Sequence, residues 1–200
     1  MTLHTRRFQE LDRFRLPPNF RGRPAWFVQL WWLVQATLFR GSPQVLYGFR
    51  RWLLRRFGAK VGKGVLLRSS ATFTYPWKIE IGDHSWIGDD AVIYSFAPVT
   101  IGRHAVISQK SYLCAGTHDY RSENFEIQSF PIVVGDHAWL AADVFVAPGV
   151  TIGRGTVVGS RSSVFGDLPE MMVCVGSPAR PVRPRLDPAV STGPRSDRPG

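Results

Sequence analysis

Two cysteines, Cys114 and Cys174, are too few for a disulfide framework, and neither sits in a CxxC pair of the kind that builds a zinc ribbon. No apolar run is long enough to span a bilayer. The longest charge-free stretch, Ala25 to Phe39, falls short of the roughly 18–20 apolar residues a span needs, and Gln29 and Gln35 interrupt it. A secretory signal is also missing: arginines precede the apolar run and no small-residue cleavage site follows at the usual distance. A reducing cytoplasm is therefore the expected compartment. The net charge of +10 is unevenly spread. Residues 1–60 carry twelve Lys and Arg against Glu10 and Asp12, and residues 179–200 carry five Arg against Asp187 and Asp197. Residues 61–178 hold eight basic and eleven acidic side chains, so the middle of the chain is −3 (8 − 11). A nucleic-acid binder wants a basic stripe on its folded body; this body lacks one, and no nucleic-acid partner is expected.

What the N-terminal third has is tryptophan and arginine. The run Ala25–Phe39 and the cluster Arg50-Arg51-Trp52-Leu53-Leu54-Arg55-Arg56-Phe57 read as helices. Two roles stay open for them: an amphipathic element in peripheral contact with an anionic membrane surface, or helices packed on the main domain or a partner subunit.

From Val61 the chain changes character. Aliphatic residues recur every six positions: Ile81, Ile87, Ile93; Ile101, Ile107, Leu113; then Val134, Leu140, Val146, Ile152, Val158 and Val164, with Val61, Leu67 and Phe73 on the same ruler. Six is neither the helical period of 3.6 nor the strand period of 2. It fits a coil with three flat faces, each hexad giving a short strand and a corner, whose stacked turns bury continuous aliphatic ladders. Glycine fills position two at 62, 82, 88, 102, 135, 153 and 159, where a corner is expected to need permissive backbone angles. Position five is small, as at Ser85, Ala91, Ala105, Ser111, Ala138, Thr156 and Ser162. Extra pairs near Tyr75-Pro76-Trp77 and Ala97-Pro98 make two early turns bulge at a shared corner, where side chains are expected to reach a substrate. Residues 119–131 break the ruler as a loop, and 183–200, rich in Pro, Ser and Arg, read as a disordered tail. The expected layout is an N-terminal helical extension (1–60), a solenoid (61–182) and that tail.

These hexads, together with Phe145-Val146-Ala147-Pro148-Gly149-Val150-Thr151-Ile152-Gly153 and Gly176-Ser177-Pro178-Ala179-Arg180, resemble the hexapeptide-repeat acetyltransferases, which include galactoside and maltose O-acetyltransferases. Val28-Gln29-Leu30-Trp31-Trp32, Ser42-Pro43-Gln44-Val45-Leu46-Tyr47 and Ile107-Ser108-Gln109-Lys110-Ser111-Tyr112-Leu113-Cys114 are similar to the subgroup that serves colanic acid biosynthesis. The resemblance spans about residues 10–185. It implies a mainly β fold, a left-handed parallel β-helix, homotrimerisation, acetyl-CoA as co-substrate without a metal, and a sugar or glycan acceptor in exopolysaccharide biosynthesis.

O-acetylation needs a base for the acceptor hydroxyl, and a neutral imidazole suits that task. Of five histidines, His4 lies in the N-terminal stretch, while His84, His104 and His137 share position four of their hexads and read as a column of exposed corner residues. His118 ends a hexad, opens onto the loop in Gly116-Thr117-His118-Asp119, and matches the family's catalytic histidine. The resemblance also carries donor-site roles to Trp139, Ala142, Ser160, Phe165, Gly166, Arg180 and Arg183, with the Ala142 amide a candidate oxyanion donor and the arginines near the CoA phosphates. Where this chain has Gly166, relatives often carry Lys; where it has Tyr94-Ser95-Phe96, they tend to have Asn or Asp. Asp89, Asp90, Ser95 and Asp119 are candidates for sugar-hydroxyl contacts. Two rival readings use the same architecture: a γ-class zinc carbonic anhydrase, invited by the aligned histidines, and a non-catalytic membrane-associated scaffold of a polysaccharide assembly complex.

Overall fold

A computed structural model describes residues 8–186; His4 and the greater part of the expected tail, 187–200, lie outside the described residues. From residue 60 onward the chain is a parallel β-solenoid with three sheet faces. The first face stacks Lys60–Val61, Ile79–Ile81, Val99–Ile101, Ile132–Val134 and Thr151–Ile152. The second stacks Leu66–Leu67, Trp86–Ile87, Val106–Ile107, Trp139–Leu140, Val157–Val158 and Met172–Gly176, and the third Thr72–Phe73, Val92–Tyr94, Tyr112–Cys114, Phe145–Val146 and Ser163–Val164. The hexad ruler is the register. Val61, Ile81, Ile101, Val134 and Ile152 pair in one column, Leu67, Ile87, Ile107, Leu140, Val158 and Cys174 in a second, Phe73, Ile93, Leu113, Val146 and Val164 in a third. All of them are buried, so the interior is three stacked ladders of apolar side chains. Cys174 is a rung of this core. At the corners, the buried position-five hydroxyls bridge successive turns: Ser85 Oγ donates to Gly102 O at 2.6 Å and accepts from Ala105 N at 3.0 Å, and Ser111 links Ala141 O and Val144 N in the same way.

The position-two glycines are needed for a different reason from the one expected. None of them has a positive φ. A Cβ at Gly82 would lie 2.5 Å from Arg103 N, and at Gly102 2.5 Å from Asp136 N, so the next turn's backbone occupies the space a side chain would take. The left-handed backbone falls instead on position four, at His84, His104 and His137 (φ 60°, 54° and 59°) and at Asp90, Lys110, Asp143 and Arg161 (φ 56°, 62°, 61° and 60°). Such angles are uncommon outside glycine, with Asp and His among the tolerant residues. Here they turn the position-four N–H onto the preceding turn, as in His84 N to Lys63 O at 2.9 Å and Lys110 N to Asp89 O at 2.8 Å.

The N-terminal helices close one end of this stack. Along its strands each turn donates N–H groups to carbonyls of the next, for example Gly62 N to Ile81 O, so the strands of the first turn are left with bare carbonyls on their outer side. Helix α1 (Ala25–Val34), its π-helical continuation Gln35–Phe39 and helix α2 (Tyr47–Arg56) supply the missing donors. Arg55 Nε binds Val61 O (2.8 Å), Arg51 binds Val65 O (2.8 Å), Arg50 Nε binds Leu67 O (2.7 Å) and Trp31 Nε1 binds Phe73 O (2.7 Å). One turn after Trp31, Gln35 Oε1 accepts from Phe73 N at 2.7 Å. Trp31, Leu54 and Arg50 are fully buried, and the remaining Arg50 donors reach Ser42, Pro43 and Gln44. The Arg50–Arg56 cluster, open to a membrane role on sequence grounds, thus has three of its four arginines turned onto the solenoid edge. Such capping is how an unpaired edge is protected from further strand addition.

The other end finishes in an antiparallel hairpin, Met172–Gly176 with Ala179–Pro184, whose outer strand carries Pro181 and Pro184 and so offers fewer donors to a further strand. Ordered strand therefore reaches past residue 182, where the tail was expected to begin: Val173 pairs with Arg183, and Arg185 reaches back to His137 O at 2.7 Å.

Gly82→Ala is expected to lower the urea midpoint by the equivalent of about 1–3 kcal/mol, the usual range for overpacking. Gly166→Ala, whose Cβ would meet nothing within 4 Å, is expected to leave it unchanged. Arg50→Met, which strips donors from several buried carbonyls at once, is expected to cost about 3 kcal/mol in the same measurement.

Candidate active site

His118 stands at the edge where the third face turns into the first. The preceding strand Tyr112–Cys114 is regular solenoid, but Thr117–His118 leaves the coil to pair antiparallel with Ile127–Gln128, so the 119–131 interruption is a hairpin arm. His118 Nδ1 lies 2.8 Å from Phe125 O. A carbonyl only accepts, so Nδ1 carries the hydrogen, and a neutral His118 keeps its lone pair on Nε2. The ring is stacked on Phe125 at 4.2 Å and 6° between planes, with Phe14 on it at 5.9 Å. The imidazole is thus fixed in tautomer and orientation, half-buried, with one nitrogen able to take a proton.

Phe14 comes from a segment in which sequence reading found no site residue. Residues 10–22 run as a strap along the third-to-first edge. Trp77 Nε1 donates to Arg21 O at 2.6 Å, Lys78 Nζ to Phe20 O at 2.8 Å and Phe96 O at 2.6 Å, and Phe20 packs edge-on against Phe96 at 5.0 Å. Burial pushes the Lys78 ammonium below its usual range. Further along, Glu10 N donates to Glu123 O at 2.8 Å and Arg13 bridges Glu10 and Glu123, tying the strap to the arm beside His118. The two corner bulges therefore grip the strap instead of standing open to substrate, as sequence reasoning had them; the aromatic content of Tyr75, Trp77 and Phe96 was the available signal.

Most of the donor-site candidates fall elsewhere on the prism. Trp139 projects from the second face, 45% exposed, with Nε1 donating to Ser108 Oγ at 3.0 Å. It borders a largely apolar groove of about 960 Å³ that also includes Trp86, Val106 and Arg68. Ala142 and Ser160 sit one turn apart at the corner between second and third faces, joined through Arg161 N to Ala142 O at 2.9 Å. Arg180 and Arg183 are exposed on the outermost strand of the second sheet, opposite Val175 and Val173. Directly opposed residues share a side of the sheet, which puts both arginines on the side that bears Trp139. Phe165 and Gly166 are the exception: they follow the last strand of the third face and so stand on the same third-to-first edge as His118, two turns on, with Phe165 exposed and packed on Phe145 at 5.9 Å. One chain therefore gathers Trp139, Ala142, Ser160, Arg180 and Arg183 onto the second face and its neighbouring corner, and sets His118 on a different edge.

The acceptor candidates divide as well. Ser95 is fully buried, its hydroxyl accepting from Tyr75 N (2.9 Å) and donating to Tyr75 O (3.1 Å), so it presents nothing to a sugar. Asp119 caps its own turn through Arg121 N. Asp89 pairs with Arg68 at 2.6 Å and, with Asp90, lines the second-face groove, away from the His118 edge. His84, His104 and His137 are the expected exposed column, their rings stacked at 5.2 and 5.1 Å. Among the described residues, no three His, Cys, Asp or Glu groups converge as a metal site.

Comparison with known proteins gives a consistent set of matches. The family model of the bacterial transferase hexapeptide (six repeats) matches residues 131–166, a span that contains Trp139, Ala142, Ser160, Phe165 and Gly166. The Escherichia coli K12 protein named "Putative colanic acid biosynthesis acetyltransferase WcaF" is 59% identical over 179 residues, covering 90% of this chain and 98% of its own. Among solved structures, a galactoside acetyltransferase in complex with coenzyme A superposes with a TM-score of 0.76 at 27% identity, over 86% of this chain and 85% of that one. The hexapeptide-repeat acetyltransferase VCA0836 of Vibrio cholerae, complexed with acetyl coenzyme A, gives 0.73 at 27% identity over 80% and 88%.

Replacing both Arg13 and Phe14 by Ala is expected to speed amide exchange in the 117–128 arm, Asp119 N–H above all, by about tenfold or more, as for a local opening that has lost its clamp. Exchange in the Ile101 ladder should stay as it was. Equal protection of the arm in this variant would show that the strap does not hold it.

Proposed function

The chain belongs to the hexapeptide-repeat acetyltransferases, and we propose from that premise that it transfers acetyl from acetyl-CoA to a sugar hydroxyl in exopolysaccharide biosynthesis, with His118 as general base. The observation that carries the role of His118 is the Nδ1 contact with Phe125 O, which leaves Nε2 as the basic atom at the mouth of the arm. Bound acetyl-CoA supplies the activated thioester. Nε2 takes the acceptor hydroxyl's proton as that oxygen bonds to the acetyl carbon, and the resulting imidazolium returns the proton to the sulfur as the carbon–sulfur bond breaks. The fixed tautomer makes this cycle possible without ring rotation.

The residues present fit the donor. Trp139 and the apolar groove suit a pantetheine arm, Ala142 and Ser160 present corner backbone, and Arg180 and Arg183 suit phosphates. Gly166 offers no side-chain contact. Because the base and the donor face belong to different sides of the prism, the reading that best joins them is a homotrimer, with the His118 edge of one copy facing the second face of the next. Asp89 and Asp90 stand as groove-side candidates for the acceptor. We place the enzyme in the cytoplasm, acting on glycans near the inner face of the membrane; among the described residues no helix is long and apolar enough to cross it.

His118→Ala is expected to lower the rate of acetyl transfer about 10²–10⁴-fold, the range for loss of a general base, with acetyl-CoA binding retained. Near-normal turnover in a variant of unchanged oligomeric size would end the assignment. Absence of saturable acetyl-CoA binding by the wild-type protein would favour a scaffold.

A further inference from the structure

Between Asp12 and Glu80 the chain has no acidic residue and thirteen Lys and Arg. This interval builds most of the strap, both helices and nearly all of the first turn, so one end of the prism carries an excess of cations. Part of that charge is committed: Arg50, Arg51 and Arg55 cap first-turn carbonyls, Arg13, Lys60 and Arg68 pair with carboxylates, and the exposed Arg40 makes one long contact, 3.4 Å, with Ser70 O. Helix α1 is different. Its inner side buries Val28 and Trp31, while Trp26, Leu30 and Leu33 are 67%, 42% and 62% exposed. Their i, i+4, i+7 spacing makes them a single stripe on the opposite side. Leu38, also exposed, extends the apolar surface past the helix end. No charge interrupts it from Ala25 to Phe39; the exposed Arg23 precedes it and Arg40 follows.

We propose that this stripe docks the protein on an anionic lipid surface, with Trp26, Leu30 and Leu33 entering the boundary between headgroups and acyl chains and Arg23 and Arg40 facing lipid phosphates. Helix α1 is apolar on both sides, one packed on its own domain and the other exposed. An exposed aromatic and aliphatic face with cations at its margins suits the boundary of a bilayer, where such groups bury apolar area while cations meet anionic lipid. The length of α1 is suited to that and not to crossing. Charge selects the occupant. Two such faces pressed together would oppose arginine to arginine with no acid nearby, whereas phosphatidylglycerol or a similar lipid neutralises them. The purpose, holding the enzyme beside a membrane-tethered acceptor, rests on the acetyl-transfer reading; the docking itself does not.

The test uses the full chain and vesicles of phosphatidylcholine, with or without a one-third share of phosphatidylglycerol, in a sedimentation assay. Wild-type protein is expected to bind the anionic vesicles selectively and to release them as salt is raised. The Trp26→Ser/Leu33→Ser variant and the Arg23→Gln/Arg40→Gln variant are each expected to bind about tenfold or more weakly, with unchanged oligomeric size and unchanged acetyl transfer to a soluble sugar. Equal binding to both vesicle types, or none to either, overturns the proposal. A changed oligomeric size in the Trp26→Ser/Leu33→Ser variant overturns it too, showing that another copy covers the stripe. If that variant does not fold, wild-type salt dependence and the Arg23→Gln/Arg40→Gln variant decide. Loss of transfer in the wild type, with selective binding intact, would refute the enzymatic reading and leave the docking standing.

Discussion

The stacking of one coil on the next, with backbone hydrogen bonds running along the prism axis, is the constraint from which the other features of this protein follow. Strands of two or three residues cannot hold a sheet alone; each is kept in place by the turn before and the turn after. Close stacking forces glycine at position two, where the next turn's backbone lies within 2.5 Å of a would-be Cβ at Gly82 and Gly102. It also repays the left-handed backbone at His84, His104, His137 and their second-corner counterparts, because each such residue gains an N–H bond to its neighbouring turn.

A stack has ends, and this chain treats its two ends differently. The C-terminal end is closed by a hairpin with prolines on its outer strand. The N-terminal end is closed by side chains acting as a substitute strand: Arg55, Arg51, Arg50 and Trp31 present donors in the order in which the first turn presents carbonyls. Arginine suits this role because its planar fork reaches more than one acceptor while its stem packs on apolar surface. The same helices then have an outer side with nothing left to cap, and there the chain keeps its most exposed tryptophan, Trp26.

The arm carrying His118 is the principal departure from the stack, and it is held from several directions. Its base is a strand pair, its Phe125 carbonyl fixes the imidazole, and the strap lays Phe14 on the ring while Arg13 meets Glu123. A base on a long excursion would otherwise be free to move, and misplacement of a reacting group is costly to rate. The strap depends in turn on the corner bulges, which grip Phe20 and Arg21 through Lys78, Trp77 and Phe96. Extra residues in the two preceding turns thus serve the base.

By itself the sequence determined the prism. The six-residue recurrence of Val, Ile and Leu specifies three inward columns whatever else the chain does, since burial of those side chains and the stacking period are local and repeat at every hexad. The break in so regular a ruler also drew attention to His118, and the resemblance to the hexapeptide-repeat family gave that residue its proposed role. What the sequence did not reveal depends on contacts between distant segments: Phe14 against His118, Arg50 beneath Leu67, Ser95 spent on Tyr75. Nothing in the periodicity of an arginine cluster says whether it faces lipid or a row of bare carbonyls, and nothing in a serine says whether its hydroxyl is buried. Tertiary structure decided these because the energy of a polar group depends on which partners surround it once water has been removed, and those partners are brought together only by the fold.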